Sequence, residues 1–328
     1  MPWEWEYLDD SDPLVAKMVS HTTLFDKYVK LKPGDYIMNP QFLRLEKEMK
    51  FTVREDDVYI STYPRSGTTW TQEITWCIMH NADLEAAKAK TLMERSFFYE
   101  WDYLFPLEEG QPLPEIVLKM DPNSIVFPGN TAPAMEKSES PRLIKTHLPM
   151  SLMPEEARTK KVIYVARNPK DVCISYYHHM LHFEEYIGSF DEFVEYFLAD
   201  LLLWSPHWRH VVEHWKLREM PNMLFLTYEE LHQDIRGCIS KISDFVGCPL
   251  TDDQTEAIVE HTSFDLMKSN KSVNMENIDD MMGLKTQEFI RQGKAGGWRA
   301  RLTHEQNCHF NEYIQEHLAE TGLYFPET

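Results

Sequence analysis

Four short runs of β-branched and aromatic residues stand out from the otherwise mixed pattern of hydrophobic and polar positions. Each run is nearly continuously apolar, as expected of a strand that is buried on both faces of a sheet. The predicted strands are Val58–Thr62, Leu143–Thr146, Lys161–Ala166 and Met223–Thr227.

Longer segments with a helical pattern lie between and after these runs. Strands that alternate with helices imply crossover connections and a parallel sheet covered on both faces. No repeat or linker divides the 328 residues, so the sequence predicts a single α/β domain over residues 1–328, with a central parallel sheet flanked by helices. The predicted helices are Thr68–Met79, Lys170–Phe183, Glu192–Trp204, His207–Glu219, Ile235–Val246 and Asp252–His261.

Polar residues follow the predicted strands at their carboxyl ends, where open α/β sheets bind ligands. Strand one is followed by residues 63–70, Tyr-Pro-Arg-Ser-Gly-Thr-Thr-Trp, and strand two ends near Lys145 and His147. Arg167 follows strand three, and Tyr228 follows strand four. These ends meet at one edge of a parallel sheet, so the sequence predicts a site there that is rich in cations and hydroxyls.

Residues 63–70 form a strand–turn–helix segment with Gly67 at the turn. The first amides of the helix lack intrahelical partners and the helix dipole is positive there, so a phosphate could bind with help from Arg65. The alternative is an ordinary helix start, in which Ser66 or Thr68 only caps the helix. A Walker A loop is absent, because only one glycine occurs and Thr-Thr stands where Lys-Ser/Thr is needed.

Charge and cysteine content narrow the class of protein. The formal net charge of −20 argues against nucleic-acid binding, because a nucleic-acid site needs a basic face. The five cysteines are odd in number and show no C-x-x-C pair, which argues against a disulfide framework or a metal site. With no apolar run long enough for a membrane span and an acidic first segment, we expect a cytoplasmic protein.

Several motifs in the same order resemble those of the cytosolic sulfotransferases, from about residue 50 to about residue 300. Residues 63–70 resemble the 5′-phosphosulfate loop of that family, whose usual form is T-Y-P-K-S-G-T-T-W. Similar segments are residues 143–149, which hold the family's catalytic histidine, residues 164–178 at the 3′-phosphate, residues 226–230 and 261–264 beside the adenine, and residues 291–298 near the C-terminus.

The resemblance implies a sulfotransferase that moves a sulfuryl group from 3′-phosphoadenosine-5′-phosphosulfate (PAPS) to an acceptor hydroxyl, leaving 3′-phosphoadenosine-5′-phosphate (PAP). His147 would be the general base, whereas the other histidines at 178, 179, 182, 207, 210 and 214 are expected to be surface or packing residues. No metal is expected. The implied catalytic residues are His147, Lys145, Arg65 and Ser175. The implied cofactor-binding residues are Arg65, Ser66, Gly67, Thr68, Thr69, Trp70, Arg167, Ser175, Tyr228, Thr262, Ser263, Phe264, Arg291, Gln292 and Gly293.

The implied acceptor is a small apolar molecule with a hydroxyl, such as a phenol, a steroid or another alcohol. Phe98 and Trp101 fall where members of the family line the acceptor site, beside Lys145 and His147. The alternative is that these aromatic residues form a satellite core cluster. The aperiodic stretch Lys268–Gln292 is expected to be a surface loop or lid, in which Met281 and Met282 would add apolar surface.

Three departures from the family pattern affect these expectations. Arg65 replaces the usual lysine, and in the C-terminal signature Gln292 replaces lysine and Gly297 replaces aspartate. The family's dimer motif has lost its Lys, Val and Glu between Arg299 and Cys308, which puts that mode of dimerisation in doubt. A homodimer is kept as an alternative. Arg65 and other positions look most like arthropod members, one of which dehydrates retinol.

The sequence leaves three alternatives to a simple sulfotransferase. A retinol dehydratase-like enzyme would act through a transient sulfate ester. A kinase-like phosphoryl transferase would need Mg²⁺ and the missing Walker lysine. A non-catalytic carrier would be favoured if His147 or Lys145 were absent, but both are present.

Overall fold

The computed structural model describes residues 3–49, 51–107, 110, 112–183, 185–276 and 289–326. The strands, numbered β1 to β8 in chain order, are Glu4–Tyr7, Val29–Lys32, Tyr36–Met38, Val58–Ser61, Ser96–Phe98, Leu143–Thr146, Lys161–Ala166 and Met223–Thr227. The α-helices, numbered α1 to α16, are Pro13–Ser20, Phe42–Glu48, Thr68–Met79, Leu84–Ala89, Leu92–Arg95, Glu115–Leu118, Thr131–Lys137, Glu155–Arg158, Pro169–His182, Phe190–Leu198, His207–Lys216, Tyr228–Gln233, Ile235–Val246, Asp252–His261, Phe264–Ser269 and His304–Leu318.

A five-stranded parallel sheet with the order β5-β6-β4-β7-β8 forms the centre of the fold. The four predicted strands are all present, and only the first is shorter than predicted, ending at Ser61. The predicted fold class is confirmed: an α/β fold with a central parallel sheet and a strand–turn–helix phosphate-loop segment. The extent of the domain over residues 1–328 stays a prediction.

Alternation along the central strands sends side chains into two separate cores. On β4, Tyr59 packs into one core and Ile60 into the other. On β7, Val162 and Tyr164 lie with Tyr59, whereas Ile163 lies with Ile60. Because neighbouring side chains point to opposite faces of a strand, a continuously apolar strand is what a sheet covered on both faces requires.

Helices cover both faces of this sheet. Helices α3, α13 and α14 close the face that carries Ile60, through Ile74, Ile239 and Ile258. Helices α9, α10 and α11 close the other face, which carries Tyr59. The crossovers bring the carboxyl ends of β4, β6, β7 and β8 to a common edge.

The sequence analysis missed two features of the fold. Strand β5 contains only three residues and lies inside an aromatic run, where periodicity gives no signal. A separate antiparallel sheet, ordered β1-β2-β3, precedes the central one, and its Leu31 and Ile37 join the core on the Tyr59 side.

Three of the predicted helices have different boundaries in the structure. Helix α9 spans Pro169–His182 instead of Lys170–Phe183, and α11 ends at Lys216 instead of Glu219. Helix α10 spans Phe190–Leu198 instead of Glu192–Trp204. The chain leaves the helical path after Leu198, because Asp200 adopts a left-handed φ of 56° and its carboxylate accepts hydrogen bonds from Trp208 and Tyr313.

The stretch expected to be a loop or lid begins in helix α15, which includes Lys268 and Ser269. Met281 and Met282 lie outside the described residues. Within the described part of the chain, no helix is both long enough and apolar enough to span a membrane.

Candidate active site

A cavity of about 890 Å³ opens at the carboxyl ends of the central strands. Most of the residues predicted for the site line it, from the loop after β4, the ends of β6 and β7, and the segment near residue 291. Ser66 and Ser263 are not among the lining residues. The predicted residues that line the cavity are Arg65, Gly67, Thr68, Thr69, Trp70, Phe98, Trp101, Lys145, His147, Arg167, Ser175, Tyr228, Thr262, Phe264, Arg291, Gln292 and Gly293.

The loop between β4 and α3 is held in a conformation that exposes main-chain amides. Arg65 and Gly67 both have left-handed φ angles, 69° and 104°. A Cβ atom on Gly67 would lie 2.8 Å from the Tyr228 ring, so glycine is needed for the close approach as well as for the turn.

No side chain among the described residues caps the first turn of α3. Thr68 instead places its hydroxyl 2.6 Å from the hydroxyl of Thr62, and the fully buried hydroxyl of Ser66 has no partner among the described residues. The capping role considered for Ser66 and Thr68 is therefore wrong. The unused amides and hydroxyl are suited to an anion.

Arg65 is restrained at the rim of this loop. Its Nε donates to the Ser175 hydroxyl over 3.2 Å, one terminal nitrogen donates to the carbonyl oxygen of Phe289 over 3.2 Å, and the guanidinium lies over the Phe289 ring. Burial, with the nearby positive charges of Arg167 and Arg291, lowers the pKa of Arg65 to about 10. Like charges gathered in a buried site favour the binding of an anion between them.

Arg167 joins the phosphate loop to the C-terminal segment. Its two terminal nitrogens donate to the carbonyl oxygens of Arg65 and Lys294, over 2.9 and 3.0 Å. Its guanidinium stacks over Tyr228, and its buried Nε has no partner in the described part of the chain. The Nε–H of Arg167 could therefore donate a hydrogen bond to a ligand.

Aromatic side chains surround the space beyond Arg167. The Trp70 ring meets Tyr228 edge-on at 5.9 Å, and its buried Nε1 has no partner among the residues described. Phe264 packs so closely on Gly293 that a Cβ there would lie 2.1 Å from the Phe264 ring. The Thr262 hydroxyl donates a hydrogen bond to the carbonyl oxygen of Ile258. These rings leave a slot suited to a flat, hydrogen-bonding group.

His147 lies at the end of β6 with a defined orientation. Its Nδ1 donates to the carbonyl oxygen of Thr62 over 2.8 Å, and its ring meets Phe98 and Trp204 edge-on. Burial, followed by the positive charge of Lys145, lowers the pKa of His147 well below its ordinary value. The imidazole is therefore neutral at pH 7, with its Nε2 lone pair not committed to any described residue.

Glu100, which the sequence analysis missed, holds this strand end. Its fully buried carboxylate accepts the main-chain N–H of His147 and the hydroxyl of Thr146, and burial raises its pKa. Lys145 lies beside it, 3.8 Å from the Phe98 ring centroid, and burial together with Arg65 lowers the Lys145 pKa. An acidic residue inside the aromatic run 97–101 was the only signal in the sequence.

Of the six histidines expected to be surface or packing residues, four are buried, namely His182, His207, His210 and His214. The other two, His178 and His179, line the cavity. His210 donates from Nε2 to the carbonyl oxygen of His147 over 3.0 Å and receives the Tyr164 hydroxyl at Nδ1 over 2.8 Å. His214 stacks on Tyr164, and His207 lies against Tyr63. His210 thus supports the main chain of His147, a role that helix periodicity cannot reveal.

The remaining part of the cavity is mainly apolar, although His178, His179 and Glu185 also line it. Phe98 and Trp101 line it and also belong to a buried cluster with Phe105. These aromatic residues can therefore form both a satellite core cluster and a wall of the cavity. The N-terminal segment supplies further lining that the sequence analysis missed, namely Leu24, Phe25 and Tyr28. The cavity thus joins a cationic half to an apolar half, with Lys145 and His147 at the junction.

A family model described as the sulfotransferase domain matches residues 55–322. The chain belongs to the sulfotransferase family. This sulfotransferase is 32% identical to luciferin sulfotransferase of Photinus pyralis, over 91% of this chain and 81% of that protein. It is 34% identical to sulfotransferase 1E1 of Homo sapiens, over 84% of this chain and 88% of that protein.

Solved structures agree with this assignment. Retinol dehydratase in a complex with retinol and PAP is similar with a TM-score of 0.86 and 32% identity, over 99% of each chain. Retinol dehydratase with androsterone and PAP gives a TM-score of 0.87 and 31% identity, over 100% of this chain and 99% of that one. The predicted family and the predicted enzyme class are both confirmed.

Two departures from the family's pattern can be placed in the sulfotransferase structure. Asp171 accepts the main-chain amides of Gly296 and Trp298, which fixes the C-terminal signature without the aspartate that Gly297 replaces. Thr303, within the degraded dimer segment, caps helix α16. Oligomeric state stays a prediction.

One buried group of potential metal ligands occurs among the described residues of the sulfotransferase. Glu73, Cys77 and His261 place ligand atoms within 4.8 Å of one another. The Glu73 carboxylate already accepts hydrogen bonds from Arg95 and His261, each over 2.7 Å. Because arginine supplies the countercharge, the geometry is that of an ion-pair network between α3, α5 and α14.

Proposed function

We propose that this sulfotransferase transfers the sulfuryl group of PAPS to a hydroxyl of a small apolar acceptor, with His147 as the general base. The observation that carries the proposal is the hydrogen bond from His147 Nδ1 to Thr62, which leaves Nε2 free to accept a proton. A neutral, oriented imidazole between a cationic half-cavity and an apolar half-cavity is what such a transfer requires.

The cationic half fits PAPS as the donor substrate. The uncapped amides of α3 and the buried Ser66 hydroxyl suit the 5′-phosphosulfate, and the spare donor of Arg167 suits the 3′-phosphate, near Ser175. The Trp70 and Phe264 rings suit the adenine. The solved relatives contain PAP, the product that PAPS would leave.

The residues support an in-line displacement. The acceptor oxygen forms a bond to sulfur while the bond between sulfur and the bridging phosphate oxygen breaks, and the acceptor proton moves to His147 Nε2. Lys145 and Arg65 both line the cavity, and their positive charges would stabilise the moving sulfuryl group and the leaving phosphate. PAP then leaves with the negative charge, and His147 returns its proton to solvent.

A retinol dehydratase-like reaction is the second candidate, favoured by the similarity to retinol dehydratase over nearly the whole chain. In that case the sulfate ester would be transient. Loss of its sulfate group, together with a proton from carbon, would leave an alkene. The apolar half of the cavity suits either outcome, since a long apolar alcohol fits both reactions.

One experiment distinguishes these functions. The protein is incubated with PAPS and a panel of phenols, steroids, retinol and amines, and the product masses are measured with and without EDTA. Products heavier by one sulfuryl group support sulfation, and a product that lacks the elements of water supports dehydration. Absence of both products, with PAP binding intact, would overturn the proposed function. We expect EDTA to leave turnover unchanged.

A further inference from the structure

We propose that Glu185 is a second polar contact for the acceptor, and that it binds a hydrogen-bond donor at the end of the acceptor remote from the reacting hydroxyl. The inference rests on the proposed function and narrows its substrate class. The favoured acceptors are apolar alcohols or phenols that carry a second hydroxyl or an amine.

Glu185 belongs to a wall of the apolar half-cavity made from two segments that hydrogen bond to each other. Its carbonyl oxygen accepts the amide of Thr23, and its own amide donates to Met180 at the end of α9. Thr22 and Tyr186 form a β-bridge beside it. The main chain at Glu185 is thus fixed from both sides, which gives the carboxylate a defined place in the wall.

Two carboxylates line the cavity in the described part of the chain, Asp171 and Glu185, and only one of them is engaged. Asp171 accepts two main-chain amides, from Gly296 and Trp298. Glu185 accepts no hydrogen bond and forms no ion pair with any residue that the structure describes. The same cavity is lined by Leu24, Phe25 and Tyr28, and also by the imidazoles of His178 and His179.

A carboxylate in such surroundings lacks a partner that it needs. Burial raises the pKa of Glu185 to about 7. Glu185 is half-buried, so its carboxylate is open to the cavity. An acceptor that fills the cavity removes water from this carboxylate, which costs free energy unless the acceptor donates a hydrogen bond in return. An acceptor whose remote end is a hydrocarbon would leave this cost unrecovered. The site therefore distinguishes acceptors by their remote end.

Matched linear acceptors test this directly. We would measure kcat/KM for 1-alkanols, α,ω-diols and ω-amino-1-alkanols over a homologous series, and their affinity for the protein–PAP complex by calorimetry. The variants are Glu185→Leu and Glu185→Gln, with Glu195→Gln on an exposed position of α10 as the control. Calorimetry keeps the test decisive even when turnover is slow.

At the chain length that spans the cavity, the wild type and Glu195→Gln should prefer a diol or an amino-alcohol over the alkanol by at least about tenfold, the effect of one charge-assisted hydrogen bond. Glu185→Leu should abolish this preference. Preference for the amine over the diol, lost in Glu185→Gln, identifies an ammonium group; a diol preference that Glu185→Gln retains identifies a neutral hydroxyl.

Equal preferences in the wild type and Glu185→Leu would overturn the inference, as would failure of every alcohol to bind the PAP complex. The two proposals fail differently. Efficient sulfation without any preference for the remote end removes only the role of Glu185, whereas binding with the expected preference but no sulfation removes only the proposed reaction.

Discussion

The Nδ1 atom of His147 donates a hydrogen bond to the carbonyl oxygen of Thr62 over 2.8 Å. A carbonyl oxygen only accepts, so the neutral imidazole carries its proton on Nδ1 and presents a lone pair on Nε2. Thr62 directly precedes the loop of residues 63–67, so the same strand end positions both the base and the phosphate-binding amides.

His147→Ala should lower kcat by about 10²–10⁴-fold, the usual contribution of a general base, and leave PAP affinity nearly unchanged. Phenols of low pKa should lose less than alcohols, because part of the phenol population is already anionic. Steady-state kinetics and PAP calorimetry on the same preparation measure both quantities, with the exposed His309→Ala as control. A parallel fall of PAP affinity would remove His147 from the role of base.

The pH profile should show an acid limb below the ordinary histidine pKa of 6.5. Burial lowers the pKa of His147, so its neutral, proton-accepting form persists as the pH falls through 6.5. Profiles of kcat/KM for PAPS report the free protein and are the relevant measurement. Activity that declines with a midpoint at or above 6.5 would contradict the burial of this base.

Lys145 should set a basic limb at a pH below the ordinary lysine value of 10.5. Burial lowers its pKa, so the charged form that stabilises the sulfuryl group is lost earlier as pH rises. The same kcat/KM profile measures this limb, and Lys145→Arg should move it to higher pH. A limb that stays in place in Lys145→Arg would belong to another group.

Arg65→Lys should retain substantial activity, whereas Arg65→Ala should lose most of it, because a positive charge near the bridging oxygen is what the reaction needs. Ser175→Ala removes the hydroxyl that holds the Arg65 Nε. PAP affinity is measured in the same variant, because Ser175 is also proposed to lie near the 3′-phosphate. Near-normal kcat in Arg65→Ala would show that the loop is only structural.

Arg167→Ala should weaken PAP binding by about 1.5–3 kcal/mol, the range for hydrogen bonds to charged groups. It should weaken AMP binding less, since AMP lacks the 3′-phosphate. Calorimetry with both nucleotides gives the ratio of affinities. An equal loss for PAP and AMP would mean that Arg167 acts only by holding the carbonyl oxygens of Arg65 and Lys294.

Glu73→Ala should destabilise the fold by about 3–5 kcal/mol, because it leaves the buried charge of Arg95 without its partner. Denaturant unfolding measures the change, and Glu85→Ala, at an exposed ion pair on α4, should change stability by less than about 0.5 kcal/mol. Similar values for the two variants would show that the Glu73 network carries little of the stability.

The sequence by itself determined four of the five central strands and the phosphate loop. These features depend on short runs of neighbouring residues: a buried strand needs continuous apolar character, and the loop needs Gly67 beside hydroxyls. His147 and Arg167 were found for the same reason, because each follows a strand end and the carboxyl ends of parallel strands lie together.

Only the tertiary structure decided which distant residues complete the site. Glu100 reaches the main chain of His147 from β5's carboxyl side, His210 supports the same residue from α11, and Glu185 faces the cavity beside Leu24. Such contacts join segments far apart in the chain, so no local period or spacing encodes them. Burial then sets their chemistry, because removal from water raises the pKa of a carboxyl group and lowers that of an imidazole.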